Sequence, residues 1–400
     1  MPRSFRSDNN AGLTPDALDA LIAANDSHAK GYGDDEWTSR AVRAFRDLFD
    51  AQIDVHFVAT GTAANCLALA CLTKPWQRIL CHAHAHLNDD ESTAPELFTS
   101  CRVTVIEPLP LVGGVGEGLP SSDPRFPTPI PSKLTPSDVE RAALAVSRGD
   151  VHQPAPGALT ISNSTEFGEV YTPDELREIT RVAHQHNFRV HVDGARFANA
   201  VASVLHARRE SIADPAAVTR AVRALTVDAN IDALSFGGTK NGLALGEAVV
   251  FLSTLSPGER VATSAATSPG EGAQDNPSRN FPFLRKRAAH LLSKHRFVSA
   301  PFAQTIESGS WLASASHANH MARLLARGLR NHNIHIPYSV DANGVFAQLS
   351  PDAERALTGA GFGFYMFGDP SWRIARFMCS FDTTEQDVES LLAAIAKAHA

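Results

Sequence analysis

Three short stretches carry the side chains with the most chemistry to offer, and each lies where an apolar run gives way to small residues. Lys240 closes the first, Asp232-Ala-Leu-Ser-Phe-Gly-Gly-Thr-Lys-Asn-Gly242, which reads as a buried strand that leaves a sheet through glycines and delivers an amine to a cleft. Asp193 closes the second, Phe188-Arg-Val-His-Val-Asp-Gly-Ala-Arg-Phe197, an alternating run with Arg196 just beyond it. The third, Ala59-Thr-Gly-Thr-Ala-Ala-Asn65, follows the apolar Val55–Val58 and opens an apolar helix, so that Gly61 and Thr62 offer free backbone N–H groups to an anion. An amine, an acid and a phosphate cradle are the three requirements of pyridoxal 5'-phosphate, held as an imine on Lys240 with Asp193 at its ring nitrogen. Taken singly, Lys240 reads equally well as a solvated turn lysine; it is the set that points to a cofactor.

A fourth stretch has two readings. Arg78-Ile-Leu-Cys-His-Ala-His-Ala-His86 looks like a strand that runs out into histidines, with Asp89, Asp90 and Glu91 close behind. Imidazoles at alternate strand positions share a face, and with these carboxylates they resemble the zinc site of a metal-dependent hydrolase. In the other reading there is no metal, and His86 alone stacks on a cofactor ring.

Taken in order, Arg6-Ser-Asp-Asn9, Gly31-Tyr-Gly-Asp-Asp35, Thr60-Gly-Thr-Ala-Ala-Asn65, His86 with Glu91, His191-Val-Asp-Gly-Ala-Arg196, Lys240 and Arg376 resemble the low-specificity L-threonine aldolases. These are pyridoxal-phosphate enzymes of fold type I, the aspartate-aminotransferase-like fold. The resemblance runs nearly end to end. It implies retro-aldol cleavage of L-threonine or L-allo-threonine to glycine and an aldehyde, with Lys240, His86 and Asp193 catalytic. Gly61, Thr62, His86, Asp193, Arg196, Lys240 and Arg296 would hold the cofactor, and Ser7, Arg196 and Arg376 the substrate carboxylate. Arg376 lies six positions before Asp382, as in the family, which places it ahead of Arg373. The resemblance also implies a homo-oligomer, a dimer of dimers, in which Arg296 reaches the phosphate of a neighbouring copy and the Gly31–Glu36 loop lies near the cofactor. Two departures concern the substrate. Thr239-Lys240-Asn241 replaces the frequent Ser-Lys-Gly, and Leu87-Asn88 follows His86 where many members have Asn-Tyr. A phenylserine- or hydroxyaspartate-type substrate, or β-elimination, is the alternative reaction.

The elements that must position these residues follow from pattern. Thr14 and Pro15 start a helix, Thr38–Phe49 is helical, Gly157–Ser162 is a strand between the helices that begin at Thr135 and Thr172, and Val249–Leu252 is a further strand downstream. This alternation implies an α/β fold with a mostly parallel sheet. We expect an arm over 1–12, a large cofactor-binding domain over 13–282, and a linking helix with a small α+β domain over 283–400. A helical run Phe283–Phe302, strands Val345–Leu349 and Arg373–Cys379, and a terminal helix from Thr384 belong to the last. The proline-rich Glu107–Lys133 and the Ser/Gly-rich Ala262–Asn280 read as an extended excursion and a mobile loop.

Composition narrows the classes. The chain has 400 residues, 44% of them apolar and 20% charged, with no run of about 18 apolar residues of the kind that spans a bilayer. A net charge of −7 without a basic stripe argues against a nucleic-acid partner. The first residues lack the apolar core of a secretory signal, and the five cysteines lack zinc-type spacing, so a cytoplasmic protein is expected; that it acts on a small β-hydroxy amino acid is what the resemblance implies.

Overall fold

The structure, a computed structural model, describes residues 4–109, 130–146, 149–252 and 276–399. Most of the proline-rich stretch and most of the Ser/Gly-rich loop lie outside the described residues.

Seven strands form one sheet: β1 (Ile53–Val58), β2 (Gln77–His82), β3 (Arg102–Ile106), β4 (Ala155–Ser162), β5 (Arg189–Gly194), β6 (Ala233–Gly237) and β7 (Glu247–Leu252). Their order is β1-β7-β6-β5-β4-β2-β3, and only β7 runs against the rest. Central parallel strands are covered on both faces, which is why β6 is buried at every position. Even His191 of β5 is accommodated there: its ring joins Thr160 Oγ1 at 2.8 Å to Ser235 Oγ at 2.9 Å, tying three strands together.

Helices pack on this sheet through apolar stripes. Helix α1 (Pro15–Ala24) is capped by Thr14 with Pro15 at its first position, as the sequence implies. Helix α2 (Glu36–Phe49), capped by Asp35, buries Ala41, Ala44, Phe45, Leu48 and Phe49 at helical spacing. Phe45 meets Phe57, Phe236 and Phe302 at ring separations of 5.9, 5.0 and 5.7 Å, an aromatic floor beneath the turn that carries Lys240. Helix α3 (Gly61–Leu72) is apolar on nearly all sides because it lies between the sheet and its neighbours.

A second, antiparallel sheet has the order β8 (Gly344–Gln348), β10 (Ile374–Met378), β9 (Tyr365–Phe367). Its core includes Leu325, Val345, Phe377, Val388 and Leu391, and also Phe5 from the opposite end of the chain. Phe5 N–H donates to Gly363 O and Phe5 O accepts from Met378 N–H, each at 2.8 Å, so the expected arm is fastened to this sheet.

Two expectations are corrected. The run Phe283–Phe302 is not one helix but two, Phe281–Arg287 and Arg296–Ser308. Ala289 sits at φ 62° between them, and Ser293 O turns to accept from Tyr32 N–H. The histidine-ended strand stops at His82, and His86 begins the short helix His86–Asp89, so His82, His84 and His86 do not share a strand face. No helix among the described residues is long and apolar enough to cross a membrane.

Candidate active site

The carboxyl ends of the parallel strands open onto one cavity of about 600 Å³, closed from above by the small sheet and the fastened arm. Crevices at strand carboxyl ends are where open α/β sheets bind ligands. Ser7, Gly61, Thr62, His86, Asp193, Arg196, Lys240 and Arg376 all line it. Arg296 does not. It starts its helix with Nε donating to Ala24 O at 2.8 Å and its guanidinium over the Phe297 ring. The Gly31–Glu36 loop is also absent from the lining, and Asp35 is occupied as the cap of α2. Arg373 turns away from the cavity to pair with Glu354 and Leu349 O.

Lys240 lies in the single turn Thr239–Asn241 directly after β6. The turn has no room for larger residues: a methyl on Gly237 would sit 2.2 Å from Ala195 O, and Gly242 closes the turn at φ 90°. Arg196, helped by burial, holds the Lys240 amine below its usual pKa, while Asp8, Asp193 and Glu247 act in the opposite direction. The protein thus brings the amine closer to its nucleophilic form.

Arg196 has a partner within the protein. Its Nε and Nη2 donate to the two oxygens of Asp8 at 2.7 and 3.0 Å, and Asp8 also accepts from Asn343 Nδ2 at 3.1 Å. An arginine expected to clamp substrate is therefore largely engaged by a buried acid. Arg376 is the contrasting case. Among the described residues no hydrogen bond or ion pair engages it, its Nε is buried without a partner, and its guanidinium lies over the Tyr365 and Phe367 rings. Asp8 and Asp90 act on it only at a distance.

Asp193 is the penultimate residue of β5, opposite Ser162 on one side and Ser235 on the other. One oxygen accepts from Ala195 N–H at 3.0 Å and the other from Asn65 Nδ2 at 2.8 Å. Burial works to raise its pKa, but His86, the Ala195 N–H and Lys240 outweigh it and hold the carboxylate below its usual range. His86 meets the buried Glu91 through Nδ1 at 2.8 Å, and that hydrogen bond raises the imidazole pKa. With Nδ1–H given to Glu91, the other ring nitrogen is left as the acceptor. The three-histidine alternative fails on geometry: His82 spends Nε2 on Pro131 O at 2.9 Å and Nδ1 on His84 N–H at 3.0 Å.

Thr60 caps α3 by accepting from Ala63 N–H, and the first N–H groups of the helix, at Gly61 and Thr62, have no partner within it. This donor set, with an acid, a depressed amine and an unpaired arginine around one cavity, fits pyridoxal phosphate. Two carboxyl groups of the lining escaped the sequence reading. Glu166 accepts from Ser162 Oγ and His86 N–H at 2.6 and 2.9 Å, and burial raises its pKa. Glu247 accepts from Gly238 N–H at 2.8 Å and is pushed by burial to about 7.

Fold and site together define a pyridoxal-phosphate enzyme of fold type I. The chain matches the β-eliminating lyase family over residues 4–351 and belongs to it. It is 38% identical to a low specificity L-threonine aldolase of Pseudomonas sp. over 98% of this chain and 97% of that one. The corresponding enzyme of Pseudomonas aeruginosa is 36% identical over 97% and 96%. Among solved structures, a threonine aldolase of Leishmania major superposes with a TM-score of 0.78 at 24% identity over all of both chains. A serine palmitoyltransferase of Sphingomonas wittichii shares the fold, with a TM-score of 0.63 at 14% identity over 99% of this chain and 87% of that one.

Proposed function

We propose that this lyase cleaves L-threonine, L-allo-threonine and related β-hydroxy-α-amino acids to glycine and an aldehyde. The observation that carries the reading is the pairing, across one cavity, of an unpaired guanidinium, Arg376, with the His86–Glu91 dyad. The full-length likeness to two enzymes named low specificity L-threonine aldolase supports it.

Pyridoxal phosphate, when bound, supplies an electron sink for the Cα–Cβ bonding pair. Gly61 and Thr62 N–H would hold its phosphate, Lys240 would supply the amine that carries it, and Asp193 would keep the ring nitrogen protonated. Arg376 fixes the substrate carboxylate in a planar, two-pronged grip, with Ser7 beside it, and so sets which Cα bond is aligned to break. His86 takes the β-hydroxyl proton at its free ring nitrogen as the Cα–Cβ bond breaks and the aldehyde C=O forms. A proton returned to Cα completes glycine. In the same reading the enzyme is cytoplasmic, in keeping with five free cysteines. It assembles as a dimer of dimers in which Arg296 serves a neighbouring copy's phosphate; exposed Leu18 and Ile22 on α1 offer apolar surface for contact.

Product analysis of the holoenzyme with a panel of β-hydroxy amino acids tests the reaction. Glycine and aldehyde in equal amounts are expected. Ammonia with a keto acid would replace this reading by β-elimination, and a protein without visible cofactor absorbance would end it.

A further inference from the structure

One side chain of the cavity has no part in the reaction just described, yet touches both of its acids. Asn65, in the first turns of α3, is 3% exposed. Its single NH2 group donates to Glu91 Oε1 and to Asp193 Oδ2, both at 2.8 Å. Its own carbonyl oxygen is buried without a partner. The orientation is forced, because the reverse placement would set an oxygen between two carboxylates. Leaving a buried oxygen without a partner is costly, so a group placed this way is held for what its other end does.

We propose that Asn65 is a positioning residue that ties Glu91 to Asp193 through one NH2 group, and so fixes both the tautomer of His86 and the carboxylate meant for the cofactor ring nitrogen. The ligating atoms of His86, Glu91 and Asp193 all lie within 4.8 Å of one another. Two carboxylates so close repel, and the shared donor offsets that repulsion and keeps both oxygens in place. Without it Glu91 would swing away from Asp193 and from His86 Nδ1. The proton of His86 would then be free to sit on the cavity-facing nitrogen, which could no longer act as a base. A displaced Asp193 would no longer face the ring nitrogen it is meant to hold protonated. The remaining groups facing this cluster are Cys66, whose Sγ lies 3.7 Å from Glu91 Oε2, with Lys240, His191, Arg196, Glu166 and Glu247. Cys66 is a thiol kept protonated by burial, and it can donate only to the far oxygen of Glu91. Among the described residues Asn65 is the one donor hydrogen-bonded to both acids.

The inference rests on the cofactor reading, which the visible absorbance of the unaltered holoenzyme checks independently. The test compares Asn65→Ala and Asn65→Leu holoenzymes, the second keeping the volume without the donor, each confirmed as folded by its thermal unfolding. Should one variant not fold, the other is read alone. Three quantities are measured: kcat and KM, the pH titration of the bound cofactor's absorbance, and the effect of the same substitution in a His86→Phe background. We expect kcat to fall on the order of 10²-fold, the scale of losing a positioned base, with KM nearly constant. The absorbance titration should shift, and the loss of kcat should be much smaller once His86 is gone. An unmoved titration, or an equal loss of kcat in the His86→Phe background, overturns the proposal and leaves Asn65 a packing residue.

Discussion

Replacing Asp8 by Asn removes one charge and almost no volume, at a point where the structure makes two separate demands on that charge. The carboxylate is 2% exposed and takes Arg196 Nε and Nη2 at 2.7 and 3.0 Å, so a guanidinium inside the protein depends on it. A unit pair about 4 Å apart at an effective dielectric near 20 gains roughly 4 kcal/mol before desolvation. Removing one partner of such a pair costs about 3–5 kcal/mol, because the survivor is stranded. The second demand concerns Lys240. Arg196 is the strongest influence lowering the amine pKa and Asp8 opposes it, so without Asp8 the amine should fall further. Urea unfolding at pH 7 measures the first effect. Burial raises the pKa of Asp8, but Arg196, Lys240 and Asn343 prevail and hold it below the ordinary range, so at that pH its contribution is fully present and is lost only as the pH falls through the folded value. A pH titration of the bound cofactor's absorbance measures the second, with its transition expected to move to lower pH. Asp8→Asn combined with Arg196→Gln should recover most of the stability, since no stranded cation remains. An unchanged unfolding midpoint with an unchanged or upward-moving titration would refute the argument.

Arg376→Ala should raise KM by about 10- to 100-fold, the scale of a lost charge-assisted hydrogen bond, and should abolish discrimination against amino alcohols that lack the carboxylate. Equal discrimination before and after would remove Arg376 from the substrate site. Arg296→Ala and Lys240→Ala proteins, each inactive alone, should regain part of the activity when mixed and re-assembled; persistent inactivity would show that no site is shared. His56, stacked on Phe281 at 4.5 Å, and His295 are both pushed by burial to about 4, below the unfolded value near 6.5. Between those values the unfolded chain binds more protons, so stability should decline as pH falls from about 6.5 towards 4, by up to on the order of 3 kcal/mol per histidine. His56→Phe should flatten that slope, and an identical slope in thermal unfolding would contradict the assignment.

The residues legible in the sequence were those whose local context already carries their role. Asp193 lies at the close of a buried strand, Lys240 in the turn just after another, and Gly61 and Thr62 open a helix, so chain order alone placed them at one edge of a sheet. Arg376 was reached through the family resemblance, and Arg373 is set aside by its bond to Leu349 O. Pairings across the fold left no local trace. Asp8 meets Arg196 across 188 positions, and Asn65 meets Asp193 across 128, so neither partnership has a spacing to read. Glu166 and Glu247 look like ordinary acids until burial changes what they are. The histidine strand misled for a definite reason: alternating Ala and His mimics a strand's period, but His82 turns its ring back onto His84 N–H and ends the extension. The two short helices read as one because apolar periodicity continues through the break that Ala289 makes.

The fastened arm bears on how the enzyme is born. Asp8 accepts from Asn343, 335 positions later, and Phe5 is held between Gly363 and Met378. On the ribosome the arm emerges early and then waits while the strands that will hold it are still being translated. The seven-stranded sheet, Lys240 included, is synthesised before those strands, so a nascent chain can already present the amine while Arg196 has no buried counter-charge and Arg376 does not yet exist. On the role proposed for Arg376, substrate recognition would thus be withheld until translation is nearly over, and a chain stalled before β10 would carry the Lys240 amine without the cation meant to choose what it holds.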